Sequence, residues 1–204
     1  MRPGDQVWDI GAHKGYVTLA LARKVGSEGV VTAFEPSEMN LWFLRRHIRW
    51  NELGNVRVMP VAVSDQVGHD RFGGEGGTAT FRLGRGDEVV RVSTIRGLVE
   101  EEGLAAPDVL KIDVEGNEGP VLRGAGELLS DDLVLFVAIH GREQYGECRE
   151  LLLASGYRLY ESRELAVRTA DPARRWGGEA ELVAVSPKRG IPDETMRNLP
   201  LFAG

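Results

Sequence analysis

The sequence predicts an α/β protein in which helices cover both faces of a mostly parallel β-sheet. Short apolar runs alternate with amphipathic stretches of helical period, and glycine or proline marks many of the boundaries between them. The 204 residues are 42% hydrophobic and 27% charged, which is enough for one sizeable core. We therefore expect a single domain over residues 1–188, followed by a surface tail over residues 189–204.

The first part of the chain predicts three strands separated by two helices. Each strand is a short apolar run beside turn residues, and each helix carries an apolar stripe, with Ser37 as the N-cap of the second. The expected elements are strand 6–10, helix 15–25, strand 29–34, helix 37–50 and strand 56–63.

Residues 66–92 interrupt this alternation because seven glycines are concentrated there. The short runs 78–83 and 88–92 could pair with each other as a hairpin. Because so much glycine favours loops, we expect a mobile flap rather than a separate domain.

The remaining sequence returns to alternating helices and strands. The expected elements are helix 94–102, strand 109–114, helix 120–129, strand 133–139, helix 144–154 and strands 157–161 and 182–186. Right-handed crossovers bring the loops after the parallel strands to one edge of the sheet, where ligands bind in open sheets of this kind. Function is therefore expected at residues 9–15, 35–37, 62–65, 113–118 and 140–142.

Composition and charge indicate which partners and which cellular location to expect. The net charge of −6 and pI of about 5.3 argue against binding to nucleic acid over a broad face. No apolar run is long enough to cross a membrane, and no signal-peptide pattern is present, so we expect a cytoplasmic protein with no membrane partner. The single cysteine, Cys148, excludes an intrachain disulfide.

The first strand leads into a glycine loop that resembles a ligand-binding turn. Gly11 allows a ligand to approach the backbone, and Gly15 lets the following helix pack closely. The helix N-terminus favours a carboxylate, whereas Asp9 would suit an ammonium group. A methionine moiety carries both groups, so Asp9, Gly11, Ala12, His13 and Gly15 are candidate binding residues.

The glycine spacing argues against a nicotinamide dinucleotide. Dinucleotide-binding loops follow a G-x-G-x-x-G pattern, and here His13 occupies the place of the second glycine. An NAD-dependent oxidoreductase on the same sheet type is therefore kept as the weaker alternative.

The next two strand ends suit a nucleoside. Glu35 ends the second strand, where an acidic side chain can accept hydrogen bonds from both hydroxyls of a ribose, and Pro36 turns the chain away. Ala62, Val63 and Ser64 end the third strand with a small apolar face followed by a polar group. Such a face suits an adenine ring.

Two later strand ends carry the candidate catalytic groups. Asp113 and Glu115 lie two residues apart, so in extended chain they point the same way, and Gly116 permits a turn directly after them. Two convergent carboxylates at this edge indicate a ligand, a cation or a general base. His140 ends the next strand, and its imidazole could accept a proton from a hydroxyl near neutral pH.

Taken together, these motifs make the sequence similar to the FkbM family of class I S-adenosylmethionine-dependent methyltransferases. The resemblance covers about residues 5–186, and its most specific part is the Lys-Ile-Asp-Val-Glu-Gly segment of residues 111–116. The segments that carry it are Asp9-Ile10-Gly11-Ala12, Phe34-Glu35-Pro36, Val61-Ala62-Val63-Ser64-Asp65 and Lys111-Ile112-Asp113-Val114-Glu115-Gly116-Asn117-Glu118.

The resemblance implies a seven-stranded Rossmann-like sheet whose last strand is antiparallel. It also implies S-adenosylmethionine as the methyl donor and a hydroxyl of a small molecule or sugar as the acceptor. Two positions depart from the family pattern. Arg96 stands where family members often have an aspartate, and Ala138 stands where they often have a glutamate.

The expected mechanism follows from the residues at the sheet edge. His140 is the predicted general base, with Asp113 orienting it or the acceptor, and Glu115 is the alternative for that role. A magnesium ion held by Asp113, Glu115 and His140 is a further alternative, although a metal-free mechanism is favoured. The two departures leave one more alternative, a catalytically weak protein that still binds S-adenosylmethionine.

Overall fold

The computed structural model confirms the predicted fold class, a seven-stranded mostly parallel sheet surrounded by helices. It describes residues 1–75, 77–130, 132–161 and 180–197. The strands of the main sheet are β1 (Gln6–Ile10), β2 (Val30–Phe34), β3 (Val56–Met59), β8 (Val109–Ile112), β9 (Val134–Ile139), β10 (Arg158–Glu161) and β11 (Ala180–Val185). Four further strands form a second sheet, namely β4 (Ala62–Val63), β5 (Gly68–Gly73), β6 (Arg82–Leu83) and β7 (Glu88–Ser93).

Six α-helices lie in the described ranges, and most start or end within a few residues of the predicted bounds. They are α1 (Tyr16–Val25), α2 (Glu38–Trp50), α3 (Ile95–Glu100), α4 (Glu118–Arg123), α5 (Arg142–Ala154) and α6 (Asp193–Arg197). Short 3₁₀ turns cover Thr78–Thr80, Gly126–Ser130 and Pro187–Arg189. None of these helices combines the length and the apolar character that crossing a bilayer requires.

The strand order of the main sheet is β10-β11-β9-β8-β1-β2-β3. Neighbouring strands from β9 to β3 pair in parallel, whereas β11 runs antiparallel to both β9 and β10, which confirms the predicted antiparallel last strand. The carboxyl ends of β1, β2, β8 and β9 therefore meet at one edge.

Alternate residues of the central strand β1 supply both faces of the core. Trp8 and Ile10 belong to the larger apolar cluster, where the ring centroids of Trp8 and Phe34 lie 4.8 Å apart. Val7 belongs to the cluster that includes Ala22 and Val25 of α1. Because strand side chains alternate between faces, a strand buried on both sides is apolar at nearly every position.

The glycine-rich segment is folded as a small sheet, which corrects the expectation that runs 78–83 and 88–92 pair with each other as a hairpin. The order of this sheet is β4-β7-β5-β6, and β5 pairs antiparallel with both β6 and β7. Its apolar side packs Phe72 against Ala62, Val90 and Val92. This clustering of apolar side chains accounts for the ordered sheet.

The predicted strand 56–63 is divided between the two sheets. Pro60 separates β3, which pairs with β2, from β4, which pairs with β7. Proline has no backbone N–H for a sheet ladder, so it ends the first pairing. The chain thereby passes from the main sheet to the second sheet directly at the carboxyl edge.

The first part of the predicted surface tail packs against the rest of the domain. Arg189 is 5% exposed, and its Nη2 lies 3.0 Å from both carboxylate oxygens of Asp5. Met196 is buried in the cluster that contains Val7. Residues 198–204 of the predicted tail lie outside the described ranges.

Arg189→Ala tests this contact. The substitution leaves the buried Asp5 carboxylate without its main counter-charge, so we expect a loss of about 3–5 kcal/mol in the free energy of unfolding, measured by urea denaturation. Arg71→Ala is the control, because Arg71 and Asp87 form an exposed pair that is worth about 1 kcal/mol or less. Equal losses in the two variants would show that Arg189 has no special role.

Candidate active site

A cavity of about 250 Å³ lies at the carboxyl edge of the main sheet, where the function-bearing loops were predicted to meet. Its walls combine the loops after β1, β2 and β8 with the second sheet, which adds Phe72, Phe81 and Leu83. The predicted site residues that line it are Gly11, His13, Glu35, Pro36, Ala62, Val63, Asp113 and Glu115.

Gly11 is required by the fold of the loop as well as by its position on the cavity. Its φ is +80°, and an added Cβ would lie 1.9 Å from the backbone oxygen of Asp113. The loops after β1 and β8 thus touch backbone to backbone. Gly15 has a similar role on the other side of the loop, since a Cβ there would lie 2.5 Å from Cδ1 of Leu44.

Glu35 is a buried carboxylate on the cavity wall that links the loops around it. Its Oε2 accepts a hydrogen bond from the backbone N–H of His13 at 2.8 Å, and its Oε1 accepts from the N–H of Ser37 at 2.9 Å and Nδ2 of Asn40 at 3.1 Å. Burial raises the pKa of Glu35, and these three hydrogen bonds oppose that rise. Glu35 therefore also ties together the first two loops.

Asn40 is a cavity residue that the sequence analysis missed. It lies in the first turn of α2, is 1% exposed and lines the cavity. Its Oδ1 has no hydrogen-bond partner within the described part of the chain. A buried amide oxygen on a cavity wall is a site for a ligand donor, such as a hydroxyl or an amino group.

Asp9 does not face the cavity, in contrast to the expected contact with an ammonium group. The residue is fully buried; Oδ1 lies 3.0 Å from Nζ of Lys111, and Oδ2 accepts a hydrogen bond from Thr18 at 2.6 Å. Lys111 also donates to the backbone oxygen of Gly11 at 2.8 Å. Asp9 therefore acts as a buried counter-charge within the protein.

Three other candidate residues stand behind the cavity wall. Ala12 packs with the α2 residues Leu41 and Leu44 in a small apolar cluster. Gly15 is the N-cap residue of α1 and packs against Leu44. The hydroxyl of Ser64 accepts a hydrogen bond from Nδ2 of Asn117, a residue that does line the cavity. These residues position the wall instead of contacting a ligand directly.

The loop between β1 and α1 offers few free backbone donors for a carboxylate. The N–H groups of Gly11 and Ala12 donate to the oxygen of Phe34, and that of His13 donates to Glu35. The side chain of His13 instead reaches the second sheet, where Nε2 lies 2.9 Å from the hydroxyl of Thr78.

The three predicted catalytic residues come together at one side of the cavity. Nε2 of His140 lies 3.5 Å from Oε1 of Glu115 and 3.8 Å from Oδ1 of Asp113. The carboxylates do not extend β8 as predicted, because β8 ends at Ile112 and Glu115 has a left-handed φ of 55°. The turn through Glu115 and Gly116 directs both carboxylates towards the end of β9.

Glu118 is a second residue that the sequence analysis did not single out. It is fully buried at the start of α4, and its Oε1 lies 2.8 Å from Nδ1 of His140. The same oxygen accepts the backbone N–H of Gly116 at 2.9 Å. Glu118 thus fixes both the imidazole ring and the turn that carries Glu115.

The charges around His140 favour its protonated form. Burial lowers the pKa of His140, but the hydrogen bond and charge of Glu118, together with the charges of Glu115 and Asp113, raise the pKa to about 9. A protonated imidazole cannot accept a proton, so at neutral pH this charge state does not suit the predicted role of general base.

The two departures from the family pattern lie in different surroundings. Arg96 is exposed on α3 and pairs with Glu100, four residues further along the helix. Ala138 lies in β9, two residues before His140, and its register partner across the sheet is Glu181 of β11. Ala138 therefore supplies no carboxylate from its own strand beside His140.

Comparisons with known proteins give a consistent family assignment. The family model described as the methyltransferase FkbM domain matches residues 9–159. Among solved structures, the FkbM methyltransferase from Methylobacillus flagellatus is similar over 90% of this chain, with 17% identity and a TM-score of 0.66. This chain spans 44% of the length of that protein. No curated protein matches the chain.

Two other solved structures show the same fold at similarly low identity. Precorrin-6y C5,15-methyltransferase from Geobacter metallireducens is 14% identical, with 91% of this chain and 82% of that chain covered and a TM-score of 0.57. Fibrillarin from Aeropyrum pernix, solved with natively bound S-adenosyl-L-methionine, is 18% identical, with 90% and 67% covered and a TM-score of 0.57.

Gly11→Ala tests the backbone contact between the two loops. A Cβ at Gly11 meets backbone in a left-handed conformation, so we expect a loss of at least about 2 kcal/mol in the free energy of unfolding. Gly54→Ala is the control, because a Cβ there meets nothing within 4 Å. Urea denaturation of both variants measures the difference, and similar stabilities would contradict the described contact.

An NMR pH titration of the histidine rings tests the charge state of His140. In the presence of a chelator, we expect the ring to remain protonated up to about pH 9, and Glu118→Gln to lower its pKa by removing the nearest negative charge. Because the pKa is raised by folding, the stability that protonated His140 contributes is complete below its ordinary value and is lost as the pH rises through 9. Titration near pH 6.5 in the unmodified protein would refute this assignment.

Proposed function

The chain belongs to the FkbM methyltransferase family, and from this premise we propose that it is an S-adenosylmethionine-dependent O-methyltransferase acting on a hydroxyl of a small molecule or sugar. The observation that carries the proposal is the composition of one cavity. Its lining includes Glu35 and Asn40, which suit a nucleoside, and also Asp113 and Glu115, which suit an acceptor hydroxyl.

The residues present fit the cofactor at its nucleoside end. Glu35 is an acceptor for ribose hydroxyls, and the unpartnered Oδ1 of Asn40 supplies a further buried acceptor beside it. Phe34, Ala62 and Val63 give the same cavity an apolar wall for the adenine ring. Gly11 contributes backbone alone to the lining of the same cavity.

When bound, S-adenosylmethionine supplies an electrophilic methyl group: the acceptor oxygen forms a bond to its carbon as the carbon–sulfur bond breaks, the electron pair stays on sulfur and the hydroxyl proton leaves. The protein's tasks are to align the hydroxyl and to receive this proton. Asp113 and Glu115 line the cavity with carboxylates, which also favour a positively charged sulfonium over its neutral product.

We assign to Glu115 the role of accepting the proton that leaves the hydroxyl, and to Asp113 the role of holding that hydroxyl. Glu115 is one of the two carboxylates on the cavity wall, and His140 beside it is protonated at neutral pH. The positive His140 stabilises the paired carboxylates, and the buried Glu118 holds its ring in place. The sequence-based role of His140 as general base would apply only near or above pH 9.

A second candidate is a protein that binds S-adenosylmethionine but transfers methyl groups poorly. Ala138 favours it, because this position provides no acidic side chain beside His140. Radiolabelled methyl transfer to a panel of sugars and small hydroxyl compounds separates the two candidates. Label in a product supports the O-methyltransferase, whereas tight binding with no transfer to any acceptor supports the binding protein.

Glu35→Gln tests the cofactor site by isothermal titration calorimetry. We expect the substitution to weaken the affinity for S-adenosylmethionine and S-adenosylhomocysteine about 10- to 100-fold, the scale of losing hydrogen bonds to a charged acceptor. Glu28→Gln on an exposed turn is the matched control, and NAD is the control ligand. Unchanged affinity in Glu35→Gln, or binding of NAD alone, would overturn the nucleoside assignment.

A further inference from the structure

We propose that Asp113, Glu115 and His140 form a binding site for a divalent cation beside the cofactor cavity. The three side chains come from the loop after β8 and the end of β9, and each offers one ligand atom. These two oxygens and one nitrogen all lie within 4.8 Å of one another. The arrangement brings together three groups that are far apart in sequence but share the carboxyl edge of the sheet.

The distances between these atoms suit a common ion. Nε2 of His140 lies 3.5 Å from Oε1 of Glu115 and 3.8 Å from Oδ1 of Asp113. An ion with ligand bonds of about 2.0–2.2 Å holds its ligand atoms up to about 4.4 Å apart. Both pairs are within this limit, and the third pair, between the two carboxylates, lies within 4.8 Å.

Glu118 provides an independent observation, because it orients the imidazole from the opposite side. Its Oε1 lies 2.8 Å from Nδ1 of His140, so the other ring nitrogen, Nε2, points towards the two carboxylates. Histidine ligands of protein-bound metals commonly donate their second nitrogen to a carboxylate in this way, which fixes the tautomer and makes Nε2 a better ligand. An ion at this site takes the place of the proton on Nε2, and Glu115 is then a ligand, so its proposed role as proton acceptor belongs to the ion-free protein.

The turn that carries Glu115 is fixed by the same buried carboxylate. The backbone N–H of Gly116 donates to Oε1 of Glu118 at 2.9 Å. Glu118, which is fully buried, therefore positions His140 and the neighbour of Glu115 together. This shared support is what a preorganised ion site requires.

The donor set selects the class of ion. Carboxylate oxygens suit magnesium and manganese, whereas an imidazole nitrogen suits zinc and other transition metals. Two carboxylates with one imidazole therefore favour Mn²⁺ or Zn²⁺ over the magnesium considered from the sequence. Such an ion would bind an acceptor hydroxyl and lower its pKa, a role that rests on the proposed methyl transfer, although binding of the ion does not.

The test is a titration with Mn²⁺ alone, followed by electron paramagnetic resonance and calorimetry at pH 8. We expect one saturable site in the unmodified protein and at least a tenfold loss of affinity in Glu115→Gln and in His140→Ala. Glu118→Gln keeps all three ligands, so a 10- to 100-fold weaker affinity there identifies it as a positioning residue. Glu100→Gln and His69→Ala are exposed controls and should bind as the unmodified protein does.

Crystals soaked in Mn²⁺ and measured for anomalous scattering give a second readout that does not depend on variants. A peak between Asp113, Glu115 and His140 is expected. No saturable binding, a peak elsewhere, or equal affinity in Glu115→Gln and Glu100→Gln would overturn the inference. Variants are first compared by urea denaturation, so that a loss of folding is not counted as a loss of the ion.

Binding of S-adenosylmethionine in the presence of a chelator separates this inference from the proposed function. Cofactor binding without Mn²⁺ binding would refute the ion site and leave the methyltransferase proposal standing. Mn²⁺ binding at the three residues without cofactor binding would support the ion site and refute the methyltransferase proposal.

Discussion

A partly buried lysine holds together the part of the sheet on which the site is built. Nζ of Lys111 lies 3.0 Å from Asp9, 3.5 Å from Asp113 and 2.8 Å from the backbone oxygen of Gly11. Burial lowers the pKa of Lys111, but the charges and hydrogen bonds of Asp9 and Asp113 raise it by more. The net pKa of Lys111 is therefore raised, and the lysine stays charged. Removing one partner of such a buried pair leaves an uncompensated charge, which costs far more than the pair itself contributes.

This network also fixes the positions of the two loops that follow β1 and β8. Asp9 and Lys111 are register partners on β1 and β8, and the loops that follow these strands touch at Gly11 and Asp113. The loops after β1 and β8 are therefore fixed relative to each other by contacts within the protein. Such preorganisation matters for group transfer, because small errors of alignment reduce the rate steeply.

The sequence predicted which loops meet but not the contacts between their side chains. Gly11, Glu35, Asp113 and His140 follow parallel strands, and the carboxyl ends of such strands share an edge, so their proximity follows from topology alone. Asp9 was placed wrongly on the cleft because its partner Lys111 belongs to another strand. Asn40 was missed, and Glu118 was placed in a functional loop without a role, because the burial of each depends on how α2 and α4 pack, which no local pattern shows.

The second sheet was not predicted from the sequence for a related reason. Its glycines suggest a loop, and β5 pairs with β7 some twenty residues away, as in the register of Gly68 with Val92. The rings of Phe72 in β5 and Phe81, which directly precedes β6, pack with their centroids 5.8 Å apart. Both also line the cavity, so the least predictable part of the fold is the part that shapes the cavity.

Arg189 also determines where this domain can be cut. The predicted boundary after residue 188 would remove the guanidinium that neutralises Asp5, although nothing in the local sequence marks residue 189 as part of the core. The turn before β1 and the segment after β11 are therefore joined by an ion pair at the edge of the sheet opposite the cavity. A shortened protein that ends before Arg189 would lose this ion pair while keeping every residue at the carboxyl edge of the sheet.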